Sequence, residues 1–124
     1  MPVQLDHFIV SSRNAAAAAK QLADLLGVPS GKAAVGPFHA VYLNDGLTLD
    51  FIDTQDAFPV EHYCFRVDHE QFSAILARLK ASGIPFRSKV DGENDMKVGA
   101  EYGNVYWNEP DGHMWEMLTT SYAR

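Results

Sequence analysis

Residues 61–67 read Glu-His-Tyr-Cys-Phe-Arg-Val, and residues 6–10 read Asp-His-Phe-Ile-Val. Both place an acid, a histidine and an aromatic residue at the head of a stretch rich in β-branched and aromatic side chains, which favours a strand. Each is followed by a helical pattern and then by glycine, a β-branched residue and proline: Gly27-Val28-Pro29 in one case, Gly83-Ile84-Pro85 in the other. Fifty-five positions separate His7 from His62, and 56 separate Gly27 from Gly83. Agreement in residue type and spacing at both ends marks an internal repeat.

The rest of the chain fills in around those anchors. Strands are expected over 5–10 and 62–67. The first helix starts at Ser12 or Asn14 as N-cap, runs through the alanines with Leu22, Leu25 and Leu26, and stops at Gly27. The second has Asp68 as N-cap with Gln71 three residues on, the pattern of a capping box. Phe72, Ile75, Leu76 and Leu79 recur at helical spacing and give it one apolar face. Further strands are expected over 38–43, 47–54, 86–90, 104–107 and 114–119. Asp45-Gly46 and Pro110-Asp111-Gly112 supply turns. Each module reads β-α-β-β, with room for one more short strand. The expectation is one α+β domain, residues 1–124, made of a first module over 1–55 and a second over 61–122.

Bulk properties narrow the function classes. The 124 residues are 47% hydrophobic and 21% charged, ordinary for a globular protein. Net charge is −6 with no basic cluster, so nucleic acid is not an expected partner. The single cysteine, Cys64, excludes an internal disulfide and suits a reducing compartment. No apolar run is long enough to span a bilayer, and no signal segment opens the chain. A cytoplasmic protein without membrane contact is expected.

Charged and ligating side chains in the strands carry the chemistry. Strand residues alternate faces. His7 shares a face with Leu5 and Ile9, Asp50 with Thr48 and Ile52, His62 with Cys64 and Arg66, and Glu116 with Met114 and Leu118. Each module thus opens on a His-bearing strand and ends on an acid-bearing one, and a pseudo-twofold between modules would bring the four positions together. An ionised carboxylate among Met114, Trp115, Met117 and Leu118 is costly unless something pairs with it. Two neutral imidazoles and a carboxylate on separate strands suit a divalent metal: Zn, Ni or Fe through imidazole, Mn also through carboxylate. Taken singly, each residue has a plainer role, as a core histidine or a solvated carboxylate. Arg66 is a candidate for holding an anionic substrate or for a salt bridge. Cys64 is expected to be small and buried. His39 and His69 are expected in solvent, and His113 in the turn. Residues 91–103, with Lys97 and Glu101, read as a lid or an ordinary surface loop.

The stretches "LDHFIV", "EHYCFRV" and "YWNEPDGHMWEMLT" resemble the vicinal oxygen chelate superfamily over nearly the whole chain. That group includes glyoxalase I, extradiol dioxygenases, fosfomycin-resistance thiol transferases and bleomycin-resistance binding proteins. The resemblance implies paired βαβββ modules whose cupped sheets enclose a divalent ion, and a homodimer whose sites draw on both chains. By motif position it implies His7, His62 and Glu116 as metal ligands. Asp50 falls where glyoxalase I carries a glutamate that is ligand and catalytic base, but it is one methylene shorter. Ile9 stands where the fosfomycin enzymes carry a threonine. The expected function is a metal-dependent enzyme that polarises vicinal oxygens of a small-molecule substrate. Glyoxalase-type lyase or isomerase chemistry, with Asp50 and Glu116 as catalytic groups, is favoured over dioxygenation. The alternative is a metal-free drug-binding protein of the bleomycin-resistance type.

Overall fold

Capping chemistry sets the helix starts. In the computed structural model, which describes residues 2–97, 99 and 103–124, the Asn14 side chain accepts from Ala17 N, and Asp53 Oδ1 accepts from Ala15 N at 2.7 Å. Helix α1 then runs Ala15–Leu26 and ends at Gly27, whose φ of 72° is the left-handed C-cap that glycine adopts without strain. Of the two N-cap candidates, Asn14 is the cap, while Ser12 is fully buried and its hydroxyl accepts from Asn14 N. Helix α2, His69–Ser82, opens with the complete Asp68–Gln71 capping box and ends at Gly83.

The chain divides into two compact units, Met1–Pro59 and Val60–Arg124. In the first, strands β1 (His7–Ser12), β2 (Ser30–Lys32), β3 (His39–Asn44) and β4 (Leu47–Asp53) form a sheet of order β1-β4-β3-β2. In the second, β5 (His62–Arg66), β6 (Phe86–Arg87), β7 (Asn104–Asn108) and β8 (Met114–Leu118) repeat it as β5-β8-β7-β6. The first and last strands of each unit pair in parallel, and the remaining pairs are antiparallel. This is an α+β architecture of paired βαβββ modules. The short extra strand of the first module is β2.

Alternation divides each sheet into a core face and an open face. In the first unit Val10, Val41, Leu49 and Phe51 are buried, as are Ala19, Leu22, Ala23 and Leu25 of α1. Burying a leucine or phenylalanine side chain contributes about 1.5–3 kcal/mol each. In the second unit Trp115 lies between Tyr63 and Phe65, with ring centroids 5.2 and 5.6 Å away. Phe65, Val105, Trp107 and Met117 are buried with it, and the α2 residues Phe72, Ile75, Leu76 and Leu79 are buried as the helical spacing predicts.

Strand β6 stops at Arg87 instead of reaching Val90. Arg87 Nε and Nη2 donate to the Val90 carbonyl at 3.2 and 3.1 Å, and Phe86 O accepts from Asp95 N at 2.7 Å. Those bonds turn the chain back on itself, and Val90 O goes to a side chain where a strand would give it to a ladder. The expected lid over 91–103 falls partly on residues 98 and 100–102, Glu101 included, which lie outside the described residues. No helix is long and apolar enough to cross a membrane.

Candidate metal centre

Parallel pairing of β5 with β8 sets Cys64 opposite Glu116 and His62 opposite Met114. On the other side of β8, antiparallel β7 sets Tyr106 opposite Glu116, and β6 sets Arg87 opposite Tyr106. A row Cys64–Glu116–Tyr106–Arg87 therefore crosses the open face, with His62 diagonal to its centre. Glu116 is fully buried. His62 Nε2 lies 3.1 Å from Glu116 Oε1, and the His62 side chain keeps 40% of its surface exposed.

Two further groups converge on this carboxylate. The Tyr122 hydroxyl, from the segment after β8, donates to Oε1 at 2.9 Å and lies 3.2 Å from Oε2. The Cys64 thiol also bonds to Glu116; burial first, and then the Glu116 charge, push its pKa up to about 12, so it stays a thiol. The Tyr106 phenol is raised by burial and then by Glu116. Tyr122 is raised chiefly by its hydrogen bond to Glu116. All three shifts run the same way: desolvation and a neighbouring buried negative charge both disfavour losing the proton. Cys64 was expected to be buried and is exposed, because it lies on the edge strand β5 of its sheet.

Arg87 completes the row at the sheet edge. It is 9% exposed and bonds to Val90 O, to Asn108 Oδ1 at 2.9 Å and to Met114 Sδ at 3.1 Å. His113 is more than a turn residue. It is 1% exposed, and its Nδ1 accepts from Glu61 N at 2.9 Å, tying the start of β8 to the start of β5. His69 is exposed as expected, whereas His39 is half-buried.

In the first unit, His7 and Asp50 share the open face of β1 and β4, where Ile9 pairs with Asp50 and His7 with Thr48. His7 Nδ1 lies 2.7 Å from Asp6 Oδ2. That bond, opposed by desolvation and aided by the Asp6 and Asp50 charges, raises the His7 pKa. With Nδ1 on Asp6, the other ring nitrogen, Nε2, is the one left for a ligand, the division found in carboxylate-oriented metal ligands.

The structure thus brings His62 and Glu116 together. Among the described residues, no group of three or more His, Cys, Asp and Glu stands close enough to hold a metal ion. The pair itself fits an ion. Two donor atoms each about 2.1 Å from one cation, at a right angle, stand about 3 Å apart, which is the spacing of Nε2 and Oε1. Sequence reasoning missed Tyr122 and Arg87. Tyr122 follows the last strand with no periodicity to place it, and Arg87 finds its partners Val90 O, Asn108 and Met114 only once the sheet has formed.

No family model and no curated protein matches the sequence. Solved structures do. "Oxidase ChaP-H2" is 32% identical with a TM-score of 0.87, over 98% of this chain and 97% of its own. "Oxidase ChaP-H1" is also 32% identical with a TM-score of 0.87, over 99% of this chain and 100% of its own. The fosfomycin resistance protein FosX from Listeria monocytogenes shares the fold at 17% identity and a TM-score of 0.67, over 98% of this chain and 94% of its own. With this identity running the length of both oxidase chains, and with paired βαβββ units behind it, the chain belongs to the vicinal oxygen chelate superfamily.

Proposed function

We propose that this chain is a divalent-metal-dependent enzyme acting on a small molecule, with His62 and Glu116 as two ligands and His7 as the third. The observation that carries this reading is the 3.1 Å approach of His62 Nε2 to a fully buried Glu116 carboxylate. One chain supplies this pair, so we take the third ligand from a second copy in a homodimer. When bound, the ion supplies Lewis acidity to neighbouring oxygens of the substrate. The chain's own residues do the rest. Tyr122 and Tyr106 keep their protons and orient the carboxylate, and the half-exposed edge of His62 leaves an approach from solvent. The 32%-identical relatives are named oxidases, which favours oxygen-dependent oxidation over glyoxalase-type isomerisation. Asp50 as general base belongs to the isomerase reading.

Elemental analysis after soaking in Mn, Fe, Ni and Zn in turn tests the proposal. About one ion per chain, lost in Glu116→Ala and His62→Ala, supports it; full occupancy in both variants overturns it. The retained metal (Zn, Ni, Mn or Fe) then directs assays, with oxygen uptake first.

A second reading has one observation in its favour. His62 and Tyr122 already satisfy Glu116 within the chain, so the carboxylate does not require an ion. A metal-free drug-binding protein predicts ligand binding that a chelator leaves unchanged.

A further inference from the structure

Beside Glu116, the open face of β5 and the residues after β8 enclose a pocket of about 430 Å³. Small-molecule sites run from roughly 300 to 1,000 Å³, so this one suits a small ligand. Its walls have two characters. Cys64 and Tyr122, both hydrogen-bonded to Glu116, stand at one end. Arg66 and Arg124 supply guanidinium groups, and Leu118 supplies an apolar side. Among the described residues neither arginine is in an ion pair. In a chain of net charge −6 with ten basic residues, two uncommitted arginines lining one pocket form a local positive site.

The chemistry along the pocket is polarised. The Glu116 charge behind that end repels an anion, and the Tyr122 oxygen, its proton donated to Glu116, is left to accept, so that end favours a hydroxyl. Arginine presents a planar fork that matches a carboxylate. Arg66 is the next residue after Cys64 on the same face of β5, a step of about 7 Å, and the two ends of a single-ring hydroxy acid are separated by a similar length.

We propose that this pocket is a substrate subsite for an aromatic hydroxy acid, with Arg66, seconded by Arg124, holding the carboxylate and the hydroxyl directed to the Tyr122 oxygen beside Cys64. The hydroxyl end rests on the proposed function, whereas the carboxylate end is independent of any metal.

Calorimetric titration of chelator-treated full-length protein with 4-hydroxybenzoate and with neutral 4-hydroxybenzamide tests the subsite apart from the metal. The acid is expected to bind at least about tenfold more tightly than the amide, and more weakly as salt rises. Arg66→Gln should weaken the acid about tenfold while leaving the amide unchanged, and Arg124→Gln should do so to a smaller extent. Both arginines are exposed, so these variants are expected to fold, and circular dichroism checks it. Equal binding of acid and amide, binding of neither, or an unchanged affinity in Arg66→Gln overturns the proposal. Metal loading of the same samples reports separately on the proposed function.

Discussion

Tyr122 reaches back to Glu116 and places its hydroxyl 2.9 Å from one carboxylate oxygen and 3.2 Å from the other. A residue beyond the last strand thereby fixes the orientation of the most deeply buried acid on the open face. For a carboxylate that ligates a metal, the role proposed for Glu116, such outer hydrogen bonds typically account for 10–100-fold in metal affinity. Tyr122→Phe is expected to weaken Mn or Zn binding about tenfold in calorimetric titration with little change in melting temperature. Tighter binding in the variant would show that the phenol competes with the ion.

Replacing His62 by alanine removes one proposed ligand but leaves Glu116 bonded to Tyr122. The variant should remain folded and lose metal at least about tenfold more readily than the Tyr122 variant. Inductively coupled plasma measurements on dialysed samples decide the ranking.

Glu109 makes stability depend on pH. Its Oε1 accepts from His113 N at 2.9 Å. Burial first, and the neighbouring Asp111 next, raise its pKa from 4.5 to about 7. A carboxyl whose folded pKa is raised contributes full stability below pH 4.5 and loses it as pH rises towards 7. Glu109→Gln keeps the acceptor without the charge. It should be more stable than the parent at pH 8, by roughly 1–3 kcal/mol, with the gap closing below pH 5. Urea denaturation at both pH values measures the difference, and a gap that widens in acid would contradict it.

Asp68 satisfies Gln71 N at 2.7 Å while Gln71 Oε1 satisfies Asp68 N at 3.0 Å. Asp68→Ala removes the side-chain acceptor of Gln71 N while the backbone N–H of residue 68 keeps the Gln71 side chain, and it should cost about 1 kcal/mol of stability, measured by thermal unfolding. Metal affinity should not change.

What the sequence reveals here is what obeys a period. The caps at Asn14 and Asp68, the glycine stops, the apolar face of α2 and the alternation in β5 and β8 are local rules, and the structure follows them. The same alternation places His62 and Glu116 on open faces, and the repeat makes β5 and β8 equivalent to β1 and β4. Other features depend on partners distant in sequence. Strand β6 ends early because the Arg87 side chain takes the Val90 carbonyl. Ser30–Lys32 pairs with His39–Val41 although all three of its residues are exposed, so no apolar pattern announces it. His113 is buried through a bond to Glu61, 52 residues away. Cys64 looked like a core residue by type, but its place on the edge strand β5 exposes it.

The parallel pairing of β5 with β8 has a consequence for the order of events during synthesis. His62 is made 54 residues before Glu116, and every other element of the second unit emerges between them. Closing so long a loop is entropically costly until the intervening elements have formed. A nascent chain stalled before residue 114 would carry the histidine, the helix and the hairpin strands yet have no carboxylate to set beside them. The pairing of His62 with Glu116 is therefore withheld until translation of the unit is nearly finished, and an ion that needs both groups, as proposed, would have to wait for it.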